Sequence, residues 1–268
     1  MSTTEPGATH AHARPTGGED VVLSATGLGL RIGGATIIDD VSLAVPRGEL
    51  LGVIGPNGAG KTTLFNLLSG VARPTAGRVH LAGRDVTSSS VDARARAGLG
   101  RTFQTSNLFV GLTVRENVRL AAQAARGGAV SLLRFPRRQD AATVDALARL
   151  EQVGLAHHAE TLAGGLSHGD KRKLEIAMLL AAGPEVILLD EPMAGVGSAD
   201  VPGLVEVIRS LQREHGATVL LVEHHMDVVL DLSDRLAVMH HGSLLACADP
   251  ETVMADPTVQ SAYLGESA

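Results

Sequence analysis

Residues 55–63 read Gly55-Pro56-Asn57-Gly58-Ala59-Gly60-Lys61-Thr62-Thr63, directly after the apolar run Leu50-Leu51-Gly52-Val53-Ile54. They match the pattern G-x-x-x-x-G-K-[ST], in which a strand delivers a glycine-rich turn and the turn opens a helix, here beginning near Lys61. Backbone N–H groups and the positive end of the helix dipole then converge on one anionic point. Gly55, Gly58 and Gly60 let the backbone curl around a triphosphate without Cβ clashes. Lys61 is expected to reach the β- and γ-phosphates and the Thr62 hydroxyl to bind Mg²⁺. The whole loop from Gly55 to Thr63, with Pro56, Asn57 and Ala59, is the candidate nucleotide-binding segment.

The bulk properties exclude several function classes. With 268 residues the chain can hold one large domain or two small ones, and either allows a substantial core. Hydrophobic residues make up 44% but aromatics only 2%, with no Trp, so the core must be built from Leu, Val, Ile and Ala. Aromatic platforms for stacking bases are therefore not expected. The formal net charge is -6. Basic residues are scattered apart from short clusters such as Arg134-Phe135-Pro136-Arg137-Arg138, which leaves no stripe for tracking a nucleic-acid backbone. No nucleic-acid partner is expected. Cys247 is the single cysteine, so no intramolecular disulfide can form, which fits a reducing compartment. No uncharged apolar window of about eighteen residues and no signal-peptide core occur, so neither a membrane span nor export by an obvious signal is expected.

Residues 1–19 are rich in Thr, Gly, Pro and His and read as a disordered tail, with His10 and His12 incidental. The folded domain is then 20–268. Short alternating runs over 21–54, such as Ala35-Thr36-Ile37-Ile38 and Val41-Ser42-Leu43-Ala44-Val45, predict antiparallel strands ahead of the phosphate loop, and Gly77 to Gly83 another strand. From about 107 to 182 the texture is helical: Val114 to Ala125, Asp140 to Val153, and Lys171 to Ala182 with Leu174, Ala177, Met178 and Ala181 on one face. Strand patterns return at Val186 to Asp190 and Ala217 to Val222, separated by an amphipathic helix with Val201, Leu204, Val205, Ile208 and Leu211 as its buried stripe. Continuous apolar strands alternating with helices predict a parallel α/β core.

Further candidate residues lie at the ends of these elements. The strand Leu188-Leu189-Asp190-Glu191 ends in two acids. Asp190 is expected to hold Mg²⁺ through water, and Glu191 to polarise the attacking water. Gln104, after a predicted strand, places an amide where it can contact Mg²⁺ or water and report on them to the helical insert. His224 can donate to a γ-phosphate oxygen from a strand end. Leu166-Ser167-His168-Gly169-Asp170 opens a helix, so the Ser167 hydroxyl, the Gly169 amide and the helix N-terminus form a second anion site that a second subunit could fill.

This ordered set resembles an ATP-binding cassette (ABC) ATPase over residues 21–265: a phosphate loop at 55–63, a glutamine at 104, a signature at 166–170, an acidic strand at 186–191 and a switch histidine at 224. The resemblance implies an α/β fold with a phosphate-loop mixed or parallel sheet core, an N-terminal antiparallel β-subdomain and an inserted helical subdomain. It also implies that two cassettes dimerise head to tail, each ATP lying between one phosphate loop and the other signature. Glu191 is then the catalytic base, assisted by His224 and Gln104, with Mg²⁺ at Thr62, Gln104 and Asp190. Ser167, His168 and Gly169 serve the partner's nucleotide.

More narrowly, Leu166 to Asp170, Asp190-Glu191-Pro192-Met193-Ala194-Gly195, Val222 to Met226 and the ending Ala262 to Glu266 are similar to ATPases of branched-chain amino-acid importers. The related urea and short-amide importers are close behind. Such importers pair two ATPases with two membrane permeases and an extracytoplasmic binding protein. The resemblance therefore implies a peripheral position on the cytoplasmic face of the cell membrane, and a second ATPase as partner, either a second copy or, the favoured reading, a sister ATPase. A lipopolysaccharide-export-type cassette and a soluble, non-transport cassette remain the alternatives. A phosphate-loop GTPase is excluded because no Asn-Lys-x-Asp motif occurs. The pattern is broken at three places. Ile32 stands where the family carries an adenine-stacking ring, Gly197 where Asp or Asn is usual, and His168 and Asp170 replace a common glycine and glutamine, although similar variants occur in this branch. These changes imply weaker base selection and one less active composite site. Asn107 to Leu112, with Phe109, is the expected permease-docking groove.

Overall fold

The apolar run before the glycine-rich turn forms β3 (Leu50–Ile54), buried along its whole length in the computed structural model. β7 (Val186–Asp190) and β8 (Thr218–Val222) are equally buried. Strands covered on both faces need apolar side chains at every position rather than at every second one. Alternate residues serve opposite faces: Ile187, Leu189, Val219 and Leu221 join one core cluster, and Val186, Leu188, Leu220 and Val222 the other. The structure describes residues 20–102, 108–126 and 141–264, and side chains as far as Ala262. The predicted tail at 1–19, Gln104, Asn107, the Arg134–Arg138 cluster and Gly265-Glu266 lie outside them.

These strands belong to a six-stranded sheet of order β10 (Ser243–Ala248), β9 (Arg235–His240), β3, β8, β7, β6 (Leu99–Arg101). All neighbours are parallel except β10, which runs antiparallel to β9. Val222 lies opposite both Val53 and Asp190, so β3, β8 and β7 end level. Whatever follows each strand emerges on one edge, the carboxyl edge where open α/β sheets bind ligands.

A second, antiparallel sheet has the order β2 (Ala35–Pro46), β1 (Val21–Ile32), β4 (Ala76–Leu81), β5 (Arg84–Asp85). The two short runs read over 35–45 are halves of the single strand β2. Asp40, at φ 49°, and register shifts against β1 absorb the break in alternation, so the strand continues through an irregularity rather than a turn. Between the sheets lies α1 (Lys61–Ser69): Leu64, Phe65, Leu67 and Leu68 share a core with Leu23, Ile38 and Val41 of one sheet and Leu51 and Val53 of the other. At its C-terminal end the fully buried Arg94 of α2 (Val91–Arg96) donates to Leu67 O and Leu68 O, both at 2.6 Å. Both carbonyls lie in the last turn, where a helix runs out of N–H donors of its own; Leu67 O also takes a long bond, 3.4 Å, from Gly70 N.

The predicted helices are α3 (Val114–Ala125), α4 (Ala141–Gln152) and α5 (His168–Ala182). They pack through Val114, Val118 and Ala122, through Ala142, Ala146 and Leu150, and through Leu174 and Ala177, continuous with one face of the parallel sheet. The Thr113 hydroxyl caps α3 by accepting from Glu116 N. α5 starts at His168 rather than Lys171 because Ser167 is its cap, accepting from Asp170 N. α6 (Val201–Arg213) covers the same sheet face with Leu204, Val205, Ile208 and Leu211. α7 (Met226–Leu232), α8 (Pro250–Ala255) and α9 (Pro257–Leu264) complete the chain, Val229, Val253 and Val259 packing on Ile54, Leu236 and Val238. Among the described residues no helix is long and apolar enough to cross a membrane.

Candidate functional site

The glycine-rich turn takes a shape that only glycine allows at its first position. Gly55 has φ 149°, and a Cβ there would lie 2.2 Å from Met239 O. Gly60 caps α1 in the left-handed region, at φ 100°. The turn after β9 braces the loop from behind, Gly242 N donating to Ala59 O at 3.0 Å. Lys61 Nζ is folded into the loop and donates to Gly55 O at 2.6 Å and Pro56 O at 3.0 Å. Above it opens a cleft of about 340 Å³ lined by Ile37, Asn57, Gly58, Ala59, Gly60, Lys61, Thr62, Thr63, Glu191 and His224.

Asp190, at the end of β7, is 1% exposed. Its Oδ2 accepts from Arg101 Nη2 at 2.8 Å, an ion pair buried on both sides. Arg101 Nη1 also donates to Asn66 Oδ1 at 2.7 Å and Ser69 Oγ at 2.8 Å, so this one guanidinium joins β6, β7 and α1. Burial pushes the Asp190 carboxyl above its ordinary range, while the hydrogen bond and charge of Arg101 pull it back. Asp190 Oδ1 is buried with no hydrogen-bond partner among the described residues. An acceptor left so costs about 1–3 kcal/mol. A buried carboxylate oxygen with no donor, and a hydroxyl at Thr62, suit a hard, oxygen-liganded cation such as Mg²⁺.

Glu191 follows at φ 50°, unusual for a residue with a Cβ. Such strain, of order 1–3 kcal/mol, persists only where the surroundings enforce it. Here Glu191 N donates to Val222 O at 2.9 Å, and Ala194 N to Glu191 O at 3.0 Å. The strained turn brings Glu191 Oε1 to 2.9 Å from His224 Nε2. Thus Glu191 and His224, 33 residues apart, meet on the wall of the cleft as the level strand ends require.

Ser167, His168 and Gly169 do not join this group. They form the start of α5, with Ser167 and His168 exposed and Gly169 buried; Ser167 Oγ accepts from Asp170 N at 3.1 Å and donates to Asp170 Oδ2 at 3.0 Å. Gly169 packs against α6, a Cβ there lying 2.7 Å from Asp200 Cβ. None of the three lines the cleft. Ile32 is 62% exposed at the β1–β2 turn, also away from the cleft lining.

Sequence reasoning gave no role to two residues that organise the site, Arg101 and Glu223. Glu223 is 4% exposed. Its Oε1 accepts from Met193 N at 2.6 Å and its Oε2 from His224 N at 3.0 Å. A charged residue closing the apolar run 218–222 was the available signal.

The ABC transporter family model matches residues 38–194. A second model, described as branched-chain amino acid ATP-binding cassette transporter, matches residues 243–268. The chain is 41% identical over 251 residues to the high-affinity branched-chain amino acid transport ATP-binding protein LivG of Escherichia coli K12, covering 92% of this chain and 98% of that protein. It is 38% identical over 252 residues to the corresponding protein BraF of Pseudomonas aeruginosa, with 92% and 98% covered. Among solved structures, the ADP conformation of MJ1267, an ATP-binding cassette of an ABC transporter, aligns with a TM-score of 0.79 at 30% identity, covering 91% of this chain and 99% of that one. With the phosphate loop, both acids and the histidine gathered on one sheet edge and relatives matching almost end to end, the chain belongs to the ABC transporter family, as one of its ATPase cassettes.

Proposed function

We propose that this chain is the ATP-hydrolysing subunit of an importer for branched-chain or other hydrophobic amino acids. The observation that carries the hydrolytic part is the Glu191–His224 pair, 2.9 Å apart on a wall of the cleft that opens above the phosphate loop. The loop amides of Gly58 to Thr63 and Lys61 hold the triphosphate. Glu191 accepts the proton of the attacking water, and His224, whose Nε2 meets that carboxylate in this structure, turns its one N–H there to a γ-phosphate oxygen when nucleotide enters. Mg²⁺, held by Thr62, by Asp190 Oδ1 through water and by Gln104, would offset charge on the phosphate oxygens. The transported class is supported by the likeness to LivG and BraF and by the match at 243–268.

The cleft is at the small end of the range of about 300–1,000 Å³ seen for ligand sites. Its lack of Ser167, His168 and Gly169 supports a composite site in which a second cassette supplies them. We infer a sister ATPase as that partner, given the altered residues His168, Asp170 and Gly197. Two permease subunits hold the pair at the cytoplasmic face of the membrane, and an extracytoplasmic binding protein delivers the substrate. Phe109, Val110 and Leu112 are exposed beside α3 and support permease docking there. The cassette domain is 20–268, with its helical portion over about 107–182.

Glu191→Gln is the test of the hydrolytic reading. It should retain ATP binding and slow turnover by about a hundredfold or more, the scale of a positioned base. Normal hydrolysis by the variant would place the base elsewhere. Uptake by the complex purified from membranes, with leucine, urea and a short amide as competitors, tests the transported class; competition by urea rather than leucine would overturn it.

A further inference from the structure

We propose that Glu223 is a positioning residue that sets the approach of Glu191 to His224. The inference rests on the roles of those two residues proposed above. Glu223 lies just past β8, between the two loops that carry them. Oε1 takes the N–H of Met193, within the turn that begins at Glu191, and Oε2 takes the N–H of His224 itself. The His225 ring nitrogen Nδ1 lies a further 3.2 Å from Oε2. Together with Val222 O, which takes the N–H of Glu191, the end of β8 therefore fixes both sides of the catalytic pair. The turn at Glu191 is strained and needs such restraint.

A carboxylate is the one side-chain group of this size that accepts at both ends. An amide in the same place presents NH₂ to one of the two N–H groups whichever way it is flipped. Glu223→Gln therefore keeps the shape and breaks one of the two bonds. Either break moves Glu191 or His224 relative to the other, and a displacement of about 1 Å at a reacting group costs about a hundredfold.

The experiment measures kcat and KM for ATP on the purified transporter complex whose copy of this chain carries Glu223→Gln, alone and combined with Glu191→Gln. The expected result is a loss in kcat of about tenfold to a hundredfold, an ATP KM within about twofold of the parent, and no further loss when Glu191 is already Gln. Parent-like kcat in Glu223→Gln would overturn the proposal, as would an undiminished further loss in the double variant, because a general structural defect multiplies through both backgrounds. Should Glu223→Gln lack a cooperative unfolding transition, Glu223→Asp carries the same criteria, its carboxylate retracted by one methylene from Met193 N. A normal rate in Glu191→Gln alone would remove the base reading and this inference with it. A slow Glu191→Gln beside a normal Glu223→Gln would remove only the inference.

Discussion

Replacing Arg101 by Met should destabilise the protein more than any surface change, and the loss should depend on pH. The side chains of Arg101 and Asp190 are 7% and 0% exposed, and their charged atoms are 2.8 Å apart. Removing one partner of a buried pair leaves the other uncompensated and costs about 3–5 kcal/mol. That is a large part of a typical domain stability of about 5–15 kcal/mol. Replacing both, as Arg101→Met with Asp190→Leu, removes the stranded charge. It leaves mainly the lost bonds to Asn66 and Ser69, worth about 1 kcal/mol each. The double variant should therefore be more stable than Arg101→Met. The sign with pH follows from Asp190, whose folded-state pKa is raised by burial. A raised carboxyl favours folding at low pH, and that contribution is lost as pH rises through the folded value. Arg101 opposes the rise through its hydrogen bond and charge. Without it the folded pKa moves higher, and the penalty deepens from acid toward neutral pH. Urea unfolding of all three proteins without nucleotide, near pH 5 and near pH 8, reads these differences as shifts in midpoint. A penalty below about 1 kcal/mol, or one equal at both pH values, would refute the argument that the pair is buried and compensated.

Gly55→Ala should cost about 1–3 kcal/mol as an overpacked contact, since its Cβ meets Met239 O at 2.2 Å, and should weaken nucleotide binding in a fluorescent-analogue titration. Unchanged affinity would mean that the turn does not need this approach to β9. Phe109→Asp, on a side chain 55% exposed and away from the cleft, should leave ATP hydrolysis intact while abolishing uptake by the assembled transporter. Normal uptake would remove the docking assignment from this loop.

What was legible in the sequence was local. α3 falls on the span read from periodicity because Thr113 and Glu116 mark its start and an apolar stripe runs its length. β3, β7 and β8 were readable as continuous apolar runs because both of their faces are buried. β2 was not read as one strand because alternation breaks where Asp40 takes a positive φ, and a break looks the same as a turn until the partner strand is known. β9 and β10 carry no motif and were identified only by their pairing. The phosphate loop, Asp190, Glu191 and His224 could be picked out from their neighbours in sequence, and the fold brings them to one sheet edge. Arg101 and Glu223 could not be, since the partners that tie them to the site, Asp190 and Met193, lie 89 and 30 residues away and neither spacing follows from any local period.

The start of α5 shows why the composite site needs more than proximity. A triphosphate brings about four negative charges, against which one cassette offers Lys61, the roughly half charge of the α1 N-terminus and a divalent cation. Glu191 adds another negative charge on the same wall, so a residual negative charge faces outward from the cleft. The N-terminus of a second α5 answers it with another partial positive charge and the hydroxyl at the position of Ser167. In this chain that hydroxyl is already donating to Asp170 Oδ2, and Lys173 Nζ lies 4.0 Å from Asp170 Oδ1. To reach a partner's phosphate, Ser167 must release Asp170, and Asp170 must keep its charge turned toward Lys173. A glutamine at that position would present no charge to turn away. In the proposed composite site the signature of this chain would therefore grip its partner's nucleotide less tightly than it would with an amide at position 170, and we place the origin of the proposed asymmetry at that carboxylate.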